Sequence, residues 1–304
     1  MIELQARTRS ISPSRLHEIL MRYDCSSVVD PFMGLATHLN YLKRHDVAVH
    51  GGDLLEWFVR VGEGIVVNDL TILRDNEVAE IVELLPGRIY SWDLFKAWEG
   101  VFFTEEQCVY LGVWHDNVHS LRSDGQTGLA VLGLWRTLCY WLQKTLHPDD
   151  MQDIPPSELA WSYIRQTEAL VTASIRRNTV RQSDALATLA AHKADALFLY
   201  PPARNSLRNA DTRIWMWEAW WQGNPYFTPE LAYRNSLFGA RAADEAGYTR
   251  AFARVLSAAD DYPVLIVQTS EARLNELERL VREVRSKVDI SAPHPHEVYL
   301  VATK

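Results

Sequence analysis

A chain of 304 residues that is 47% hydrophobic and 23% charged carries enough apolar material for a full core, so one large domain, or one domain with an insertion, is expected. No apolar run is long enough to cross a bilayer, and Met1-Ile2-Glu3-Leu4-Gln5 lacks the charged-then-apolar layout of a secretory signal; Cys25, Cys108 and Cys139 are scattered and odd in number, which argues against a disulfide framework. A cytoplasmic chain with reduced thiols and no membrane contact is the expectation, and its formal net charge of −8 counts against unaided grip on a phosphate backbone.

The first strand signal is Ser27-Val28-Val29-Asp30, followed by turn chemistry at Pro31-Phe32-Met33-Gly34. Leu35 to Arg44 has apolar residues at helical spacing, and Asp46 to His50 reads as a second short strand closed by Gly51-Gly52-Asp53. Strand, helix and strand in this span make a βαβ unit and imply a parallel sheet with helices on its faces. From Leu54 to about Arg181 the pattern is mainly helical, with a cap at Thr104-Glu105-Glu106 and a long apolar helix over Leu129 to Leu146; Ile65-Val66-Val67 fits a short strand or a helix end. That stretch is too large for one crossover, so 70–181 is expected as a helical insertion or subdomain within a domain covering 1–304. Sheet signals resume at Ala194 to Tyr200, which must stop at Pro201-Pro202. Pro263 to Gln268 reads as strand, Ser270 to about Arg285 as helix, and His296 to Ala302 as the last strand, with His294-Pro295-His296 as the loop before it.

Two clusters of arginine, Arg7, Arg9 and Arg15, then Arg176, Arg177 and Arg181, read first as solvated helix faces and second as DNA contacts. Trp215, Trp217, Trp220 and Trp221 crowd one segment at helical spacing, where packing is the first explanation and base stacking the second. His115 and His119 stand one helical turn apart, but no flanking Glu or third ligand completes a metal set, so no metal is expected.

In a doubly wound sheet, ligands sit beyond the carboxyl ends of the strands, near the switch in strand order. Two strand ends qualify. Asp30 to Thr37 holds Gly34, which permits close backbone approach, and leads into a helix start suited to a negatively polarised group. Asp53, at the end of the next strand, is suited to accept hydrogen bonds from both hydroxyls of a ribose.

The run Asp30-Pro31-Phe32-Met33-Gly34-Leu35-Ala36-Thr37 resembles the Asp-Pro-Phe-x-Gly-x-Gly-Thr cofactor loop of the DNA adenine (N6) methylases, with Ala36 at the second glycine. Phe102-Phe103-Thr104-Glu105-Glu106 is similar to that family's Phe-Thr-x-Glu-Asn segment, and the Trp215 to Trp221 helix and the closing strands fall where the family has counterparts. The resemblance implies a class I S-adenosylmethionine-dependent methyltransferase fold: α/β and Rossmann-like, a parallel-dominated sheet with a helical insertion. It implies S-adenosylmethionine as cofactor, with Asp30, Phe32, Gly34 and Asp53 as the binding positions.

The family's catalytic tetrapeptide is Asp, Asn or Ser, then Pro-Pro, then an aromatic. Its first side chain and the adjacent prolyl carbonyl accept hydrogen bonds from an exocyclic amine, and its ring stacks on a flipped base. Here the stretch is Tyr200-Pro201-Pro202-Ala203. Tyr200 offers no carboxylate or amide acceptor and Ala203 no stacking face, so Tyr200, Pro201 and Pro202 mark a degenerate catalytic position. Asp195 lies at the wrong end of its strand to substitute, and Asp93, Glu99, Asp116 and Glu218 have no assigned place in sequence. The resemblance with this loss implies a catalytically impaired subunit acting through a protein partner, such as an active methylase or DNA-processing protein, or through DNA. The alternative is an active methyltransferase with a non-standard site.

Overall fold

The computed structural model describes residues 12–146, 151–202, 212–228, 236–239, 242, 244–294 and 297–304. The chain opens with α1 (Pro13–Arg22), β1 (Ser27–Asp30), α2 (Thr37–Arg44) and β2 (Ala48–Asp53). Helices follow: α3 (Glu56–Gly62), which runs into a π-helical turn at Glu63–Val67, then α4 (Asp75–Val82), α5 (Glu105–Val118), α6 (Asp124–Leu146) and α7 (Pro156–Thr167). After them come β3 (Thr179–Gln182), α8 (Ala185–Ala191), β4 (Ala196–Leu199), α9 (Thr212–Trp221), α10 (Glu245–Ala258), β5 (Val264–Thr269), α11 (Glu271–Val284), β6 (Lys287–His294) and β7 (Glu297–Thr303). Two compact units result, one of 1–54, 174–206 and 235–304, the other of 55–173 and 207–234.

The first unit holds the whole sheet, in the order β3-β2-β1-β4-β5-β7-β6. β1 pairs in parallel with β2 and β4, β2 with β3 and β4 with β5, while β7 runs antiparallel to both β5 and β6. This is the parallel-dominated, Rossmann-like α/β sheet that the sequence leads one to expect. The chain leaves β1 toward β2 and β3, then returns to β4 on the other side, so the strand order switches between β1 and β4. That is where such sheets bind ligands.

Strand composition follows position. All residues of β4 and β5 are buried, as expected of central strands covered on both faces. On one face Val29, Leu197, Leu199, Leu265, Val267, Leu300 and Ala302 form a single core with the apolar sides of α8, α10 and α11. Each buried Val or Leu there contributes roughly 1.5–3 kcal/mol against exposure.

Three elements differ from the sequence expectation, and one expectation left open is resolved. β2 runs on through Gly51 and Gly52 to Asp53, because its neighbours leave no room for side chains: a Cβ on Gly52 would overlap Thr188 of α8, and one on Gly51 would lie 2.5 Å from the Met33 sulfur. Ile65-Val66-Val67, read as a short strand or a helix end, is a helix end, in the π-helical turn that continues α3. Thr179 to Gln182, inside the stretch read as helical, is the edge strand β3. Lys287 to His294, left unassigned between the helix expected to end at about Arg285 and the loop expected at His294, is β6, a strand paired with β7; His296 lies outside the described residues.

The second unit is helical. Thr104 caps α5 through a reciprocal box with Gln107. Trp57, Trp114, Trp135, Trp217 and Trp220 are fully buried within the unit, and Trp217 stacks on Trp220 at 4.0 Å. Packing accounts for them. Glu218 is not a free acid either: its carboxylate accepts the Trp57 N–H at 3.2 Å and Gln222 Nε2 at 3.1 Å, capping α3, whose preceding Leu55 supplies no side-chain acceptor.

Gly52→Ala is expected to cost roughly 1–3 kcal/mol, because the stiff β-branched Thr188 must move. Gly51→Ala should cost less, since its nearest atoms are the ends of flexible Met33 and Leu39 side chains. Urea midpoints of the two variants check the order; equal midpoints would contradict the packing described.

Candidate functional site

β1 ends at Asp30, and the next residues fold back on its carboxylate: Oδ1 accepts the Phe32 N–H at 2.9 Å. This is an Asx-type turn, the local reason that an acid followed by proline ends the strand. The Met33 N–H then donates to the Gly52 carbonyl at 3.1 Å, laying the loop across the end of β2. The Gly34 N–H donates to Asp53 Oδ2 at 3.0 Å. Asp30, Gly34 and Asp53, which come from two strand ends, are therefore brought together at the carboxyl rim of the sheet.

Two residues of the loop have left-handed backbone. Gly34 adopts it at φ 50, where glycine carries no penalty. Ala36 adopts it too, at φ 54 and ψ 23, as the residue before α2, and it is fully buried. For an L-residue that conformation costs roughly 1–2 kcal/mol. The position thus keeps the geometry of a glycine while holding a methyl group.

The electrostatics are acidic. Burial pushes the Asp30 carboxyl up to about 7; the Phe32 N–H opposes this and the charge of Asp53 adds to it. A carboxyl poised near neutrality beside a second carboxylate favours a ligand group that brings positive charge or hydrogen-bond donors. Phe32, expected among the cofactor-binding residues, is partly buried and packs on the α8, α10 and α11 core, edge-on to Phe238 at 5.5 Å.

Tyr200-Pro201-Pro202 leaves β4 beside this loop, since β4 pairs with β1 through Val29 and Leu197. Tyr200 is 41% exposed and follows the buried run of β4. Partial burial raises its hydroxyl pKa, so it stays a neutral phenol at physiological pH. The Pro202 carbonyl accepts the Tyr248 hydroxyl at 3.1 Å. Ala203 lies outside the described residues.

Other residues singled out from sequence sit elsewhere. Asp195 is at the opposite end of β4, where it accepts Ser26 N–H (2.8 Å) and the hydroxyls of Ser26 and Ser27 (2.9 Å each). Burial raises its pKa, but those donors outweigh it and hold the carboxylate ionised. Asp116 accepts the Ser91 N–H at 2.7 Å, and Asp93 and Glu99 are exposed. His115 and His119 have ring centroids 4.1 Å apart and His119 stacks on Trp221; among the described residues no set of three metal-ligating side chains forms. Arg15 pairs with Glu18 and Ser291, whereas Arg176 and Arg177 lie in a loop and Arg181 on β3 rather than on a helix. Arg7 and Arg9 lie outside the described residues.

Two residues near the loop were not singled out from sequence. His38, the second residue of α2, sits against Phe198 of β4 at 5.2 Å; burial lowers its pKa to about 4, and its Nε2 has no hydrogen-bond partner among the described residues. Tyr248 reaches the diproline turn from α10, a link that no spacing signals.

No helix among the described residues is long and apolar enough to cross a membrane. No family model matches the chain, and no curated protein does. Among solved structures the chain is similar to the rRNA methyltransferase AviRa from Streptomyces viridochromogenes, at 13% identity and a TM-score of 0.31, over 98% of this chain and 87% of that one. The fold is carried by the sheet order itself.

The raised Asp30 pKa has a definite sign. The native state keeps the proton longer than the unfolded chain, so this residue's contribution to stability falls as pH rises from about 4 to 7 and stays lost above. Asp30→Asn is expected to stabilise the protein by on the order of 2–4 kcal/mol at pH 8 and hardly at pH 4; a gain independent of pH would count against a buried carboxylate. Ala36→Gly should add about 1 kcal/mol by relieving the left-handed alanine, again read from urea midpoints.

Proposed function

We propose that this chain binds S-adenosylmethionine at the carboxyl ends of β1 and β2, and that it is a methyltransferase-fold subunit impaired in adenine-directed chemistry. The observation that carries the reading is the Gly34 N–H on the Asp53 carboxylate, next to buried Asp30. The residues present fit the group. Asp53 supplies acceptor oxygens for ribose hydroxyls, the left-handed Gly34 allows close backbone approach, and the Asp30 carboxyl suits the ammonium of the methionine part. When bound, the cofactor supplies an electrophilic methyl group.

At the other side of the rim, Tyr200 presents a neutral phenol where the resembled family has a carboxylate, amide or hydroxyl acceptor. A phenol of raised pKa is a poor acceptor for an amine proton. Together with the loss of an aromatic at Ala203, this supports a role exerted through a protein partner, such as an active methylase or DNA-processing protein, or on DNA. A second reading, an active methyltransferase with another substrate, is favoured by the retention of Asp30, Gly34 and Asp53.

Calorimetric titration with S-adenosylmethionine is expected to give binding that Asp53→Ala weakens at least tenfold. Affinity should rise with pH through about 7, as Asp30 loses the proton that competes with the ligand's ammonium. No heat at millimolar ligand would remove both readings. Transfer of labelled methyl to DNA, RNA and small-molecule pools separates them: label on DNA adenine would show that Tyr200 does not abolish the chemistry, and label on another pool would favour the second reading.

A further inference from the structure

Tyr248 is almost fully buried on α10, and the described structure gives it contacts on three sides. Its hydroxyl donates to the Pro202 carbonyl at 3.1 Å. Its ring lies 5.4 Å from that of Phe238, which in turn meets Phe32 of the β1 loop at 5.5 Å. On its remaining side the Arg273 guanidinium sits 4.3 Å from the ring centroid, with Glu276 within 3.6 Å of Arg273 Nε. Thus one chain of three rings, Phe32, Phe238 and Tyr248, runs from the loop after β1 to the turn after β4, the two strand ends that flank the switch in strand order.

We propose that Tyr248 is a positioning residue of the site: its hydroxyl fixes the Tyr200-Pro201-Pro202 turn, and its ring, through Phe238, ties that turn to the loop carrying Asp30 and Gly34. Pro201 and Pro202 have no N–H to anchor them, so the turn lacks the backbone donors that hold an ordinary strand end. A buried hydroxyl donating to the carbonyl supplies one anchor from outside the turn. The Arg273 cation over the ring face, together with Glu276, holds the phenol in place. Rigid rings transmit a shift at Phe32 to Pro202, because close-packed aromatic contacts do not absorb displacement. A ligand that orders the β1 loop therefore also orders the position of Tyr200. This second effect rests on the proposed cofactor site, whereas the anchoring of the turn does not.

The test places 3-fluorotyrosine at position 200 and follows its fluorine resonance in the full chain. The ligand-free protein is expected to give one narrow line, and Tyr248→Phe a broadened or doubled line, with a urea midpoint lowered by no more than one hydrogen bond's worth. Saturating S-adenosylmethionine is expected to shift the line, and Phe238→Leu to reduce that shift at saturation at least twofold. Unchanged lines in Tyr248→Phe would overturn the anchoring role. A full shift in Phe238→Leu would overturn the ring coupling. If calorimetry detects no cofactor binding, the cofactor reading and the coupling that depends on it both fall, and the ligand-free spectra still decide whether Tyr248 anchors the turn. A merely structural Tyr248 would move the urea midpoint without altering the number or width of the Tyr200 lines.

Discussion

One hydrogen bond organises the carboxyl rim of the sheet: the Gly34 N–H donating to the Asp53 carboxylate. It requires β1 and β2 to lie side by side in parallel, with Asp30 level with Gly51, so that Asp53 projects two residues beyond. It requires a loop that turns sharply enough to present an N–H to the neighbouring strand, which the Asp30 carboxylate and the left-handed Gly34 and Ala36 provide. And it requires glycines at 51 and 52, where side chains would hold Met33 and α8 away. Sequence features that look separate, an Asp-Pro turn, a Gly pair and a strand-ending acid, serve one junction.

The junction also explains an energetic oddity. A buried carboxyl and a buried left-handed alanine both work against stability, and both lie within seven residues of each other. Unfavourable local features that persist together are compensated by the surrounding core, here the apolar cluster under β1, β4 and β5. The two carboxylates at this switch in strand order are themselves tied to the loop, Asp30 by the Phe32 N–H and Asp53 by the Gly34 N–H.

Much of this was legible in the sequence, and the reason is locality. β1, the turn at Pro31 to Gly34, α2 and the core of β2 are set by neighbours within a few residues, as are the caps of α5 and the stop of β4 at Pro201. Asp30, Gly34 and Asp53 could be placed at one rim because parallel strands joined by one helix leave little choice. What stayed hidden depends on distant partners. β3 is four residues of mixed polarity, Thr179-Val180-Arg181-Gln182, and becomes a strand only by pairing with β2. β6 stands last in the sheet order and carries polar residues, so alternation is weak until β7 lies beside it. The contact of the Phe32 ring with Phe238, more than two hundred residues on, is likewise a matter of the fold and has no signal in the loop motif. Glu218 looked available as an acid, and its use as a cap on α3 is invisible without the fold.

The pairing of Val29 with Leu197 has a consequence for how the molecule is made. β1 is the middle of the parallel sheet, but one of its two neighbours is encoded only after residues 55–173 of the helical unit have passed. During synthesis β1 and β2 can meet early, leaving an apolar strand with an open flank until β4 emerges. The helical unit waits as well, since α9, which buries Trp217 and Trp220 in it and caps α3 through Glu218, follows β4 in the chain. Both units thus stay incomplete until the chain beyond β4 has emerged, and the sheet unit stays open longest, because β5, β6 and β7 come last of all.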